Sequence, residues 1–286
     1  MNLWRAFSLH LQRRFGRQRL RRLLLGAIPF LVLVGIWHLN TVFGWLAPVY
    51  IPPLAAVWEA VVTLQEECPG VASALTLHYG CLFTNHVLVS MGRVALSLCI
   101  GLPLGITCGV VAGMHRRIGH ALEPIGVFAN AISGIAWVPL AIVWFGVGWL
   151  TTLFILLNTV FWLVFFNTLL GVRGVPLVYE HSVLTMGGRR WKVMTQVYIP
   201  GALPSIVTGV RMSMGFGWRA LIAAEMIGGD SGLGFMIFVS AQEYKIEEVF
   251  LGVLTMAVIW MLTDRSCLVP LEKWTIQRWG LVWRPS

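Results

Sequence analysis

The sequence contains few charged residues. Of its 286 residues, 12% are charged and 57% are hydrophobic, whereas a soluble domain carries roughly 25% charged residues. So little charge cannot supply the polar surface of a soluble globule, and so high an apolar content excludes disorder. The apolar residues form long continuous runs rather than the alternating segments of a transmembrane β-barrel. The sequence therefore predicts an all-α membrane protein.

The motifs of phosphate-binding loops and metal sites are also missing. The chain lacks Gly-x-x-x-x-Gly-Lys-Ser/Thr, Cys-x-x-Cys and His-Glu-x-x-His, and its seven histidines show no metal-ligand spacing. Five cysteines in so long a chain exclude a small disulfide-stapled scaffold. We therefore expect no catalytic residue, no metal and no cofactor on this chain, which weighs against a membrane-embedded enzyme.

Basic residues are concentrated at the beginning of the chain. Seven arginines lie in residues 1–22, directly before an apolar run at residues 23–46. The run is too long for a signal peptide and has no Ala-x-Ala site directly after it, so we predict an uncleaved first span. The arginines favour a cytoplasmic segment that contacts membrane lipid. A nucleic-acid-binding arm is the weaker alternative, and no nucleic-acid partner is expected.

Five more spans follow from hydropathy, and the loops between them fix the orientation. The predicted spans lie at residues 86–114, 121–147, 149–172, 202–227 and 249–262. Residues 47–87 contain no Lys or Arg, so we place them outside, with a surface helix after Pro52-Pro53. The basic segments lie inside. The sequence thus predicts six transmembrane helices with both termini cytoplasmic, a permease core at 88–264 and a cytoplasmic tail at 265–286.

The second predicted span has a glycine at every fourth position. The four residues are Gly101, Gly105, Gly109 and Gly113. This spacing places them on one helix face, where another backbone can approach closely. Two interpretations are open: ordinary helix packing, or a surface along which helices move during gating. Pro103 on the same helix weakens its hydrogen-bond ladder.

Residues 173–200 form the most informative segment. It is long for a helix connection, basic and amphipathic, and its apolar residues recur at helical spacing around Gly187-Gly188. This pattern predicts two short helices on the inner membrane face. The segment either anchors the chain at the membrane surface or docks a soluble partner.

The same segment resembles the coupling loop of ATP-binding-cassette importer permeases. In that loop a Glu-Ala-Ala element precedes a glycine, and nine residues later the chain reads apolar-x-apolar-proline. The matching positions here are Gly187, Val197, Ile199 and Pro200, with His181, Ser182 and Val183 at the Glu-Ala-Ala positions and Glu180 one residue earlier.

The resemblance extends to one subgroup of these permeases. Residues 134–148 and 201–237, the latter with Arg211, Arg219, Glu225 and Gly232-Leu233-Gly234, look like the nitrate, sulfonate, taurine and bicarbonate permeases. The resemblance implies a type I ABC importer permease fold in the bacterial inner membrane. It also implies a second permease copy, two ATPase subunits that bind ATP and Mg, and a periplasmic or lipid-anchored solute-binding protein.

Polar and charged residues inside the predicted spans are candidates for a translocation path. They are Asn130, Ser133, Asn158, Arg211, Arg219 and Glu225. A charge at mid-bilayer costs about 2.5–3.5 kcal/mol, so each should face a cavity, a partner helix or the membrane surface. Helix–helix hydrogen bonds and fold-holding ion pairs are the alternative roles. For Glu225 the candidate partners are Arg93 and a symmetry-related copy.

The two arginines of the fifth predicted span favour an anionic solute, since opposite charges attract more strongly at low dielectric. Snorkelling to lipid phosphate is the alternative role for these arginines. We expect a permease subunit for a small anion. A self-sufficient secondary transporter or channel is the alternative, although such carriers often show two similar halves and this chain shows none.

Overall fold

The computed structural model describes residues 25–66 except residue 27, residues 82–268, and residue 270. The predicted basic segment 1–22, residues 67–81 and nearly all of the predicted tail 265–286 lie outside the described residues. The chain divides into two compact units at Ala60. The elements of the described part are helical, and none of its residues forms a strand.

The helices are numbered in chain order. They are α1 Ile28–Phe43, α2 Leu54–Glu66, α3 Leu82–Met114, α4 Arg116–Ala131, α5 Val138–Phe145, α6 Trp149–Arg173, α7 Leu177–Thr185, α8 Arg190–Val193, α9 Ile199–Gly228, α10 Leu233–Gln242 and α11 Ile246–Thr263. In the first unit, the Trp37 indole donates a hydrogen bond to the Pro52 carbonyl at 2.8 Å, and the backbone N–H of Leu46 donates to the Asn40 side chain at 2.9 Å.

Four helices have the length and hydropathy of membrane spans: Phe83–Met114, Trp149–Arg173, Arg190–Gly228 and Ile246–Leu268. They confirm the predicted spans at 86–114, 149–172, 202–227 and 249–262. The predicted span at 23–46 contains the shorter apolar helix Ile28–Phe43. The count of six stays a prediction.

The predicted span at 121–147 is not one straight helix. Arg116–Ala131 and Gly134–Phe145 meet at an angle of 91°. The break lies at Ile132 and Ser133, whose ψ angles of 116° and 142° are extended rather than helical. Pro139 occupies the first turn of α5, where its missing N–H leaves no helical bond unmade. Average hydropathy hid this break because both halves are apolar.

The glycine face of α3 packs against α6. A Cβ on Gly109 would lie 2.6 Å from Thr168 Cβ, and one on Gly113 would lie 2.6 Å from Val172 Cγ1. Gly105 and Gly101 meet Val164 and Val160, which lie one and two turns before Thr168 on α6. Since real Cβ atoms do not approach this closely, glycine is what allows the two backbones to come together.

The connection between α9 and α11, which low basic charge predicts to lie outside, contains helix α10. Leu233, Met236 and Ile237 of this helix are buried, and the hydroxyl of Ser240 donates to the Glu248 carboxylate of α11 at 2.6 Å. The sequence did not predict this helix, which packs back onto α9 and α11.

Candidate functional site

The segment between α6 and α9 contains the two short helices that the sequence predicts. Helix α7 ends at Thr185 and α8 begins at Arg190. The turn between them uses Gly187 at φ +78°, a conformation that L side chains rarely adopt. It is closed by the backbone N–H of Gly188, which donates to the Val183 carbonyl at 2.9 Å. Gly188 itself has no room for a Cβ, which would lie 2.7 Å from that carbonyl oxygen.

One side of this segment is fixed to the ends of the long helices. Val193 and Tyr198 are buried in a cluster with Val172 of α6 and Ala202 and Ile206 of α9. Partly buried residues of the segment pack on the same cluster: Val175, Val183, Met194, Val197 and Ile199. The Tyr198 hydroxyl donates a hydrogen bond to the Glu180 carboxylate. Of the predicted coupling residues, Glu180, Val183, Val197 and Ile199 therefore hold the segment in place.

The other side of the segment is exposed and apolar. Leu177, Val178, Tyr179, Met186 and Trp191 have between 59% and 86% of their surface exposed. His181 and Ser182 are exposed beside them, as are the basic Arg189, Arg190 and Lys192. We name this face, residues 177–192, the docking face. Exposed aromatic and methionine side chains accompanied by arginine are typical of protein interaction sites.

Three of the predicted path residues line one cavity. Asn130 at the end of α4, Ser133 in the break before α5, and Asn158 on α6 border a cavity of about 310 Å³. Its aromatic walls are Trp162 of α6 and Phe216 of α9. The 91° bend brings these residues together, because Ser133 lies within the break itself.

The Asn158 side chain at the cavity accepts one hydrogen bond. The Trp162 indole donates to Asn158 Oδ1 at 3.1 Å, so the amide NH₂ of Asn158 is the group available to a solute. The Thr159 hydroxyl is already bonded to the Ile155 carbonyl at 2.9 Å. The cavity is therefore a neutral polar chamber with an amide donor and aromatic walls.

The two arginines of α9 have different neighbours. Arg219 is exposed, and its Cζ lies 5.6 Å from the ring centroid of the cavity residue Phe216. Arg211 lies two turns earlier, where its Nη2 is 3.6 Å from Asp264 Oδ1. Sequence reasoning treated the two as equivalent, but in the structure it is Arg219 that lies beside the cavity.

Glu225 lies apart from the cavity, in a buried ion pair. Arg93 Nη1 is 2.9 Å from Glu225 Oε1, and both side chains are fully buried. Arg93 is thus the partner that the sequence offered as one of two alternatives. The Ser90 hydroxyl lies 2.8 Å from both carboxylate oxygens.

The loop after α9 closes over this pair. Arg93 Nη1 donates to the Ser231 carbonyl at 2.6 Å and Nη2 to Asp230 Oδ1 at 3.0 Å, while the Gly234 amide donates to Glu225 Oε2 at 2.9 Å. Gly232 has φ +107°, and a Cβ there would lie 2.3 Å from Glu225 Oε1. The sequence did not predict that Asp230 and Ser231 accept hydrogen bonds from Arg93. The glycines that follow Glu225 in sequence were a signal that backbone packs closely against the Glu225 carboxylate.

Among the described residues, no three His, Cys, Asp or Glu side chains lie together in a way that could hold a metal ion. The part of the chain that the structure describes thus offers a docking face, a polar cavity and a buried ion pair as its functional features.

A match to a known family identifies this chain as the inner-membrane subunit of a binding-protein-dependent transport system. Residues 101–266 match the family model described as binding-protein-dependent transport system inner membrane component, and the chain belongs to this family. Membership makes it a transport permease subunit and favours that function over a self-sufficient secondary transporter or channel.

Curated relatives include permeases for taurine, bicarbonate and nitrate. The chain is 29% identical over 233 residues to the taurine transport system permease protein TauC of Escherichia coli, covering 82% of each chain. It is 32% identical over 193 residues to the bicarbonate transport system permease protein CmpB of Synechococcus elongatus, covering 67% of this chain and 69% of the relative. It is 26% identical over 245 residues to the nitrate import permease protein NrtB of Leptolyngbya laminosa, covering 86% of this chain and 85% of the relative.

Two solved transporters share the fold. A bacterial ABC transporter involved in the import of alginate matches with a TM-score of 0.53 at 14% identity, covering 91% of this chain and 99% of that chain. The MetNI methionine ABC transporter, in an inward-facing conformation, matches with a TM-score of 0.50 at 17% identity, covering 66% of this chain and 96% of that chain. The predicted importer permease fold is therefore confirmed.

Proposed function

We propose that this permease subunit forms the transmembrane path for a small anion of the nitrate, sulfonate, taurine or bicarbonate type. The observation that carries the proposal is the cavity at the bend, where Asn130, Ser133 and Asn158 meet. Amide and hydroxyl donors can replace part of an oxyanion's hydration shell without a fixed charge that would trap it. Arg219, one turn from Phe216, adds positive potential nearby.

The docking face is the surface on which an ATPase subunit binds. Its exposed Met186 and Trp191 supply apolar contact area, and the basic residues around them favour an acidic partner surface. ATP and Mg bind the ATPase, since this sequence has no phosphate-binding loop. This assignment agrees with the position of Gly187 and Pro200 in the coupling-loop pattern.

The attachment of the segment explains how such docking can move the path. Val193 and Tyr198 pack between the ends of α6 and α9, so a displacement of the docking face is transmitted to both helices. Closure of an ATP-bound ATPase dimer would draw two such segments together. The helices would then switch the path from inward-facing to outward-facing.

The proposed assembly contains two copies of this chain around a two-fold axis, with the path on the axis. The docking face and both termini lie in the cytoplasm of a bacterium, and a solute-binding protein delivers the anion from the other side of the inner membrane. The charge distribution supports this orientation, because residues 173–200 are basic and residues 47–87 contain no Lys or Arg.

The substrate class is tested by identifying what the system delivers. The complex is purified with its solute-binding protein, the bound ligand is identified by mass spectrometry, and uptake of that ligand is measured with taurine, nitrate and bicarbonate as competitors. We expect an anion or a zwitterion with an anionic group. A neutral or purely cationic ligand that is transported by the complex would contradict the proposal.

A further inference from the structure

A second cavity, of about 490 Å³, lies where the long helices end beside the docking face. It is lined by Gly113, Arg116, His120, Val172, Arg173, Val175, Leu177 and Tyr198. Helix α3 ends at Met114 and α6 at Arg173, so the cavity opens at the level where the apolar part of the chain gives way to polar surroundings.

The cavity wall formed by α4 and the end of α6 is basic. Arg116, His120 and Arg173 all border it. Arg173 Nη2 pairs with Glu123 Oε2 at 3.0 Å, whereas Arg116 forms no ion pair with any residue in the described ranges. The other nearby carboxylate, Glu180, accepts the hydrogen bond from Tyr198. Of the two arginines on this wall, Arg116 is therefore the one that has no ion-pair partner among the described residues.

The Arg173 guanidinium lies close to a glycine of α4. A Cβ on Gly119 would lie 2.7 Å from Arg173 Nη2 and 2.7 Å from the Ala112 carbonyl oxygen of α3, so glycine at this position allows α3 and α4 to approach each other beside the guanidinium. His115 gives the first turn of α4 no side-chain cap, and the free N–H groups there add to the positive potential. Arg116, His120 and Arg173 are exposed, so an anion from outside the protein can reach them.

Apolar residues also line the cavity. They are Val172, Val175 and Leu177, and 61% of the surface of Leu177 is exposed. A lining that combines basic and apolar side chains suits a ligand with an anionic head and an apolar remainder. Guanidinium groups bind phosphate oxygens through paired N–H donors, and basic pockets between membrane helices bind lipid head groups.

We propose that this cavity binds a phosphate group, carried either by an anionic phospholipid or by soluble phosphate. Its volume of about 490 Å³ admits a complete glycerophosphate head group. Because Val175, Leu177 and Tyr198 belong to the segment that carries the docking face, a bound head group bridges that segment to Arg116 of α4.

The test uses the assembled complex in an uncharged detergent with three probes: dihexanoyl phosphatidylglycerol, inorganic phosphate and uncharged dihexanoylglycerol. The two lipid probes are used below their critical micelle concentrations. Binding is measured by native mass spectrometry and by the shift of the thermal unfolding midpoint. Arg116→Gln removes the unpaired guanidinium without breaking the Arg173–Glu123 pair. Arg117→Gln is the matched control, because Arg117 is exposed next to it but does not line the cavity.

We expect wild type and Arg117→Gln to bind phosphatidylglycerol equally, and Arg116→Gln to bind it about tenfold more weakly, as for the loss of one charged hydrogen-bond donor. Binding of inorganic phosphate with the same dependence on Arg116 would identify soluble phosphate as the source, and binding of phosphatidylglycerol alone would identify lipid. The proposal is overturned if neither anionic probe binds the wild type, if Arg116→Gln binds both as tightly as wild type, or if dihexanoylglycerol binds as well as phosphatidylglycerol.

Discussion

Arg93 Nη1 and Glu225 Oε1 lie 2.9 Å apart with both side chains fully buried, although 132 residues separate them in sequence. The pair joins α3 to α9, and its hydrogen bonds to Ser231 and Gly234 fix the loop that leads into α10. A charge buried without a partner is far more costly than a paired one. This part of the chain therefore depends on both residues together.

Replacing Arg93 with methionine is expected to destabilise the protein by about 3–5 kcal/mol, because it leaves the Glu225 carboxylate buried without its partner. The thermal unfolding midpoint of the purified permease in detergent measures the loss. Arg211→Gln is the control, because 45% of the Arg211 side chain is exposed, so its loss leaves no buried carboxylate without a partner.

The double variant Arg93→Met/Glu225→Met separates a shared ion pair from two independent packing roles. Removing both charges should recover much of the stability lost in either single variant, because no unpaired buried charge remains. Strictly additive losses, or an Arg93→Met midpoint equal to that of Arg211→Gln, would contradict the assigned pair.

Gly109→Ala tests the packing of α3 on α6. The added Cβ would lie 2.6 Å from Thr168 Cβ and 2.9 Å from the Phe165 carbonyl oxygen, so we expect a loss of about 1–3 kcal/mol from overpacking. Gly92→Ala, on the same helix, is the matched control, since its Cβ would meet only Trp149 at 3.9 Å. Equal unfolding midpoints for the two variants would show that the glycine face does not set the helix separation.

Trp191→Glu tests the docking face. Trp191 is 69% exposed, so the change should leave folding and membrane insertion intact while removing an apolar contact to the ATPase. We expect the ATPase subunit to be lost or strongly reduced when the tagged permease is purified. Tyr244→Glu is the control, because Tyr244 is 84% exposed but lies beyond α10. Normal ATPase content in the Trp191→Glu complex would contradict the assignment of the docking face as the ATPase-binding surface.

Arg219→Gln and Arg211→Gln distinguish a charge beside the cavity from one paired with Asp264. We expect Arg219→Gln to lower anion uptake by the assembled complex roughly fivefold, equivalent to about 1 kcal/mol of lost attraction. Arg211→Gln should change uptake little. If both variants transport normally, Arg219 does not assist anion uptake, and the anion proposal rests on the cavity alone.

The features that the sequence predicted correctly are those that follow from local physical requirements of the chain. Crossing a bilayer requires long apolar helices, so four spans could be placed from hydropathy alone. The cost of an intramembrane charge required a partner for Glu225, and Arg93 was a correct candidate. The position of the two short helices was also predictable from Gly187 and Pro200. Gly187 marks the turn between the helices, because few residue types other than glycine adopt its positive φ.

Features that depend on distant parts of the chain were not predictable. The break at Ser133 is invisible to hydropathy, yet it brings Asn130, Ser133 and Asn158 into one cavity. The contacts of Asp230 with Arg93 require a backbone loop to fold over α3, and no local pattern specifies that. The different surroundings of Arg211 and Arg219 arise in the same way, because they depend on where α11 and the cavity lie.

The most direct test of the central claim is reconstitution of the permease in liposomes with its ATPase subunits and solute-binding protein. Uptake of the delivered anion is measured with and without ATP, and with each component omitted in turn. The account predicts uptake only when the permease, ATPase, binding protein and ATP are all present. Uptake of the same magnitude by the permease alone, without ATPase or ATP, would contradict it.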